Sequence, residues 1–70
     1  MMAKKIHIEG MSCDHCVRHV TNALIEVDGV KDVKVDLKGK IASVELSEDI
    51  ANGKLKEAVE EAGYQVVKIE

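Results

Sequence analysis

Lys4-Lys5-Ile6-His7-Ile8-Glu9-Gly10-Met11-Ser12-Cys13-Asp14-His15-Cys16-Val17-Arg18-His19-Val20 changes its period half-way along. Up to Glu9 the apolar Ile6 and Ile8 alternate with Lys5, His7 and Glu9. That period of two marks a half-buried strand. From Val17 onward Val17, Val20, Leu24 and Val27 recur at spacings of three and four, the apolar stripe of an amphipathic helix. Strand hands over to helix at Gly10-Met11-Ser12-Cys13-Asp14-His15-Cys16, and this junction holds both cysteines of the chain. Gly10 lets the backbone turn without a side-chain clash. Ser12 or Asp14 is expected to cap the helix, and Asp14 in the first turn suits its dipole. The first helical N–H groups have no backbone partner, so a thiolate there is expected to be favoured over a thiol.

Outward from the junction the pattern continues. Asp28-Gly29 ends the first helix. Val33, Val35 and Leu37 alternate with Lys34 and Asp36 in a second strand. Lys38-Gly39-Lys40 reads as a hairpin turn. The third strand runs from Ile41 to Leu46, with Ala42, Val44 and Leu46 on one face. Ser47 to Gly53 is a loop, with Asn52 as the expected cap of a second helix. That helix carries the stripe Leu55, Ala58, Val59 and Ala62, and Gly63 stops it. Tyr64 to Ile69 is the last strand. Two strand-helix-strand units joined by a hairpin can interleave into one sheet, since crossovers are right-handed and short. The expected fold is therefore α+β, a ferredoxin-like βαββαβ sandwich: a four-stranded antiparallel sheet with both helices on one face.

Length and composition narrow the function. The 70 residues are expected to form a single domain, 1–70, burying about 60% of the unfolded surface. The chain is 46% hydrophobic and 33% charged, which suits a small core and argues against disorder. It has no Phe or Trp, and Tyr64 is its only aromatic residue, so Ile, Val, Leu and Ala must make the core. A net charge of −3 leaves no basic patch for nucleic acid, and stacking platforms are missing too. No apolar run approaches the roughly 20 residues of a membrane span. No apolar signal-peptide core follows Lys4 and Lys5, so no export is expected. The initial methionine and the finished fourth strand suggest a free-standing protein. Two cysteines in such a chain point to a reducing compartment and a metal or redox role.

Two thiols at this spacing can reach one metal ion or each other. Thiolates select Cu(I), Zn(II) or iron–sulfur clusters. A structural zinc site needs four ligands, and one Cys pair supplies two, leaving His15 or His19 to complete it. His15 and His19 share a helix face, but such residues are most simply solvated. His7 reads as surface. A thioredoxin-like dithiol is the redox alternative; the chain is short for that fold and has no proline to face the pair. The bland alternative is two buried thiols acting as small hydrophobes, against which the polar flanks Ser12, Asp14 and His15 speak. Met11 is either a thioether ligand or, by preference, an apolar residue tucked into the core. The mixed Lys and Glu from Lys54 to Glu61 are a solvated helix face.

Gly10-Met11-Ser12-Cys13-Asp14-His15-Cys16 resembles the Gly-Met-x-Cys-x-x-Cys motif of the heavy-metal-associated domain family. The element order agrees over essentially the whole chain. Val27-Asp28-Gly29-Val30 and Glu60-Glu61-Ala62-Gly63-Tyr64 agree as well. Within that family the chain is most similar to small bacterial cytosolic copper chaperones. The resemblance implies a cytoplasmic carrier, not an enzyme, that binds Cu(I) through Cys13 and Cys16. It implies delivery to the metal-binding domain of a copper-transporting P-type ATPase, with a copper-responsive repressor as a second candidate partner. A monomer is expected without metal, and a copper-bridged dimer is permitted. Met11 would anchor the loop in the core, and Tyr64 would stand close to the metal without ligating it. His15 is compatible with an auxiliary ligand or a pH-sensitive neighbour. Zinc- and cadmium-linked members tend to place an acidic residue before the first cysteine; Ser12 stands there and favours copper. A Zn(II)- or Cd(II)-binding domain and a dithiol redox protein are the alternatives.

Overall fold

The computed structural model describes residues 2–70. Six elements follow one another: β1 (Met2–Glu9), α1 (Asp14–Ile25), β2 (Val30–Asp36), β3 (Ile41–Leu46), α2 (Asn52–Glu61) and β4 (Gln65–Ile69). The strands form one sheet in the order β2-β3-β1-β4, and every neighbouring pair is antiparallel. Each crossover thus skips one strand, and the other unit fills the gap. This is the interleaved sandwich that the two periods imply.

Alternation decides which side each strand buries. Ile6 and Ile8 of β1 and Ala42, Val44 and Leu46 of β3 turn to the core, at 0–5% exposure. Val20 and Leu24 of α1 and Leu55 and Val59 of α2 close it from above. Each buried Ile, Leu or Val side chain contributes about 1.5–3 kcal/mol by leaving water. Among the described residues the fully buried core is aliphatic throughout, with Met11 at 7% and no polar side chain.

Several boundaries differ from the sequence expectation. β1 begins at Met2, two residues earlier than the alternation shows, because Met2 and Ala3 pair with Leu46 and Glu45. α1 stops at Ile25, so Val27 packs half-buried beyond the helix end. Neither Ser12 nor Asp14 caps α1; the N-cap is Cys13, without a side-chain bond. Asn52 is not a cap either. Ala51 holds that place, and the Asn52 side-chain oxygen accepts from the Lys4 ammonium. Lys4 also donates to the Ile50 carbonyl at 2.8 Å, tying β1 to the loop before α2. Ile50 itself is buried at 5%, a core residue from a stretch with no period to betray it. In β4 the register slips between His7 and Ile8 of its partner, and Val67 is left 59% exposed between the inward Val66 and Ile69. The hairpin turns where expected, with the Lys38 N–H bonded to the Asp36 carboxylate at 3.1 Å.

Candidate metal centre

β1 delivers the chain to the junction, and Gly10 turns it with φ +100°, a left-handed value that side chains resist. Met11 then drops into the core and holds the loop down. Cys13 is extended, at φ −159° and ψ 175°, and exposed. Its carbonyl accepts from the Cys16 and Val17 N–H groups at 3.0 and 3.3 Å, which starts α1. One helical turn then brings Cys16 back beside Cys13, half-buried where Cys13 is open. The two sulfurs are 3.8 Å apart, and both thiols are free.

Tyr64 arrives from the other end of the chain. α2 ends in a Schellman motif: the Gly63 N–H bonds the Glu60 carbonyl at 3.0 Å and the Tyr64 N–H bonds Val59 at 3.3 Å. Gly63 takes φ +99° to close it. Tyr64 is thereby placed over Gly10, where a side chain would sit 3.4 Å from the tyrosine ring. Its hydroxyl stands beside Cys16.

This surrounding lowers the Cys16 thiol to a pKa of about 6. The Tyr64 hydroxyl is the largest cause, followed by the backbone amide of Ser12; burial opposes them, and the Cys13 amide and thiol add smaller lowering effects. The free N–H groups inside the first helical turn are thus not the main cause, as the position alone had implied. The Cys16 sulfur in turn raises the Tyr64 hydroxyl above its ordinary range. The Ser12 hydroxyl lies 3.9 Å from the Cys16 sulfur. The sequence expectation of Ser12 as a cap, a polar flank and a copper-favouring position does not include this contact; the four-residue spacing is the available signal.

The structure therefore brings together Cys13, Cys16, Ser12 and Tyr64. Among the described residues no third His, Cys, Asp or Glu joins the cysteine pair within ligating reach. His15 and His19 are exposed on α1. His7 lies on the sheet, 3.1 Å from a Glu70 carboxylate oxygen, which His7 and then Lys68 hold below its usual range.

A βαββαβ sandwich with a free cysteine pair at its first strand–helix junction is the plan of a small metal-binding domain. Residues 5–65 match the heavy-metal-associated domain, and the chain belongs to that family. It is 42% identical over 67 residues to the copper chaperone CopZ of Staphylococcus haemolyticus, covering 94% of this chain and 98% of that protein. A solved CopZ metallochaperone superposes with a TM-score of 0.88 at 37% identity, over 94% of this chain and all of the other. A copper-binding domain from HMA7, a P-type ATPase, superposes at 0.84 with 31% identity over 99% of both chains. The N-terminal domain of ZntA in its Zn(II) form also superposes, at 0.82 and 30% identity over 91% and 86%. Among the described residues no helix is long and apolar enough to cross a membrane.

Proposed function

We propose that this chain is a copper chaperone that binds Cu(I) between Cys13 and Cys16 and delivers it to the metal-binding domain of a copper-transporting P-type ATPase. One observation carries the reading: two free sulfurs 3.8 Å apart at the surface, with no third His, Cys, Asp or Glu within reach among the described residues. Two soft thiolates suffice for Cu(I), whereas zinc in a structural site takes four ligands. The likeness to the Zn(II) form of ZntA keeps zinc as the competing cargo, and the ligand count weighs against it. The full-length likeness to CopZ supports copper, and the likeness to an ATPase domain of the same fold supports the partner.

A carrier must hold its ion and still let it go. Cys13 is open to solvent and Cys16 is half-buried, so a partner thiolate can reach the metal from the Cys13 side. As it bonds, the Cys13 bond breaks first, and the Cys16 bond breaks once a second partner thiolate has bonded. No covalent step on carbon and no redox change is involved, so the chain is a carrier and not an enzyme. The cytoplasm, which keeps thiols reduced, is the compartment such a site requires.

The test is a competition titration against a chromogenic Cu(I) chelator, repeated with Zn(II) in excess. Copper retained at one ion per chain supports the reading. Displacement of copper by zinc would make zinc the cargo, and reduction of insulin disulfides by the metal-free protein would make it a dithiol oxidoreductase.

A further inference from the structure

Two clefts on the helical layer merge into one groove between α1 and α2. The first has a volume of about 290 Å³ and the second about 430 Å³, and both are lined by Val27, Ala58 and Glu61. The floor is apolar and half-buried: Ala23, Val27, Ala58 and Ala62. The rim is acidic: Glu26, Asp28, Glu57 and Glu61, all exposed, against the one cation Lys54. None of these four carboxylates is in an ion pair among the described residues, where both ion pairs involve Glu70. Four carboxylates against one ammonium leave this groove with as much negative excess as the whole chain, whose net charge is −3.

We propose that this groove docks a basic amphipathic segment of a protein partner. Small apolar side chains of the segment cover the Ala and Val floor, and its lysines or arginines meet the rim. Apolar burial then supplies affinity, while the charges speed encounter and fix orientation. The same rim repels acidic segments and anionic lipid. The groove is separate from the thiols: Ala23 follows Cys16 by seven residues, about 10 Å along the helix. A partner held there leaves Cys13 free. The chain's own basic hairpin, Lys38-Gly39-Lys40, makes a second copy the rival occupant.

The probe is a lysine–leucine peptide of about 15 residues with leucine at helical spacing, titrated into the metal-free, isotope-labelled protein. Saturable NMR shifts at the amides of Ala23, Val27, Ala58 and Ala62 are expected. The Glu57→Gln, Glu61→Gln double variant should bind about tenfold more weakly at low salt, and Glu48→Gln with Glu60→Gln, the same change of charge elsewhere, should stay within about twofold. Equal binding of a lysine–serine peptide would reduce the groove to bulk charge and overturn the proposal. So would shifts centred on the metal loop or the sheet, or no saturable binding. Concentration-dependent self-association that protects the groove, read by sedimentation, would replace the partner segment with a second copy.

Discussion

Tyr64 stands beside Cys16 and is the largest cause of that thiol's low pKa of about 6. The relationship spans the fold, because Cys16 belongs to the first strand–helix unit and Tyr64 to the second. Docking of the two units is thus what tunes the sulfur. Tyr64→Phe keeps the ring and removes the hydroxyl. The Cys16 pKa should rise toward the ordinary thiol range while copper binding persists, since the two proposed thiolate ligands remain. Alkylation rate against pH in the metal-free protein reads the shift directly, and an unchanged profile would remove Tyr64 from the explanation.

Stability of the metal-free protein should follow the same thiol. Its pKa is about 6 in the folded chain against 9.0 ordinarily, so the fold favours the thiolate. That contribution is complete above about pH 9 and disappears as the pH falls through 6. The melting temperature should therefore drop on titration from pH 9 to 6, and Cys16→Ser should flatten the slope over that window. Two other shifted groups act outside it. Glu70, lowered by His7, loses its contribution only in the acid carboxylate range, and Tyr64, raised, only in alkali.

Removal of either sulfur should weaken Cu(I) binding by orders of magnitude, because one thiolate cannot complete a two-coordinate site. Cys13→Ala and Cys16→Ala measured against a chromogenic chelator decide it. His15→Ala should leave one Cu(I) bound, as His15 is exposed on α1 away from the sulfur pair. Complete loss of copper in His15→Ala would put that imidazole in the primary coordination shell.

Met11 is a different kind of motif residue. Buried at 7% in the core cluster, it holds the loop from below. Met11→Ala should cost about 2–5 kcal/mol in stability. In a chain of this length that lowers the melting temperature by about 8 °C or more. One Cu(I) should still bind at temperatures where the variant is folded, as equilibrium dialysis would measure.

The two periods of the sequence were enough to place all six elements, because a half-buried sheet and a helix stripe each leave a regular trace. What they could not place depends on contacts between distant residues. Ile50 is buried in the common core cluster and lies in no repeating pattern. Asn52 fits every local rule for a cap, yet Lys4, remote in sequence, takes its side chain. The cysteine pair stands out as the candidate site from its spacing and junction. The hydroxyls around Cys16 stand out less: Tyr64 comes from family resemblance alone, and Ser12 looks like a helix cap.

Transfer of copper should proceed by contact. The open Cys13 and the half-buried Cys16 give an incoming thiolate one accessible side. Each bond lost to this protein is replaced by a bond to the partner, so the barrier to exchange lies well below that of releasing bare Cu(I). A partner ATPase domain with the same two-thiol motif offers equivalent ligands, so the reaction should be reversible, with an equilibrium constant within about tenfold of unity, or roughly 1.4 kcal/mol. Copper-loaded protein is mixed with the metal-free domain directly, and in parallel across a membrane that passes only free copper. Fast transfer on contact and slow transfer across the membrane are the expected pair of results. Equal rates in the two arrangements would mean that copper dissociates before it is captured, which would make this protein a copper buffer and not a chaperone.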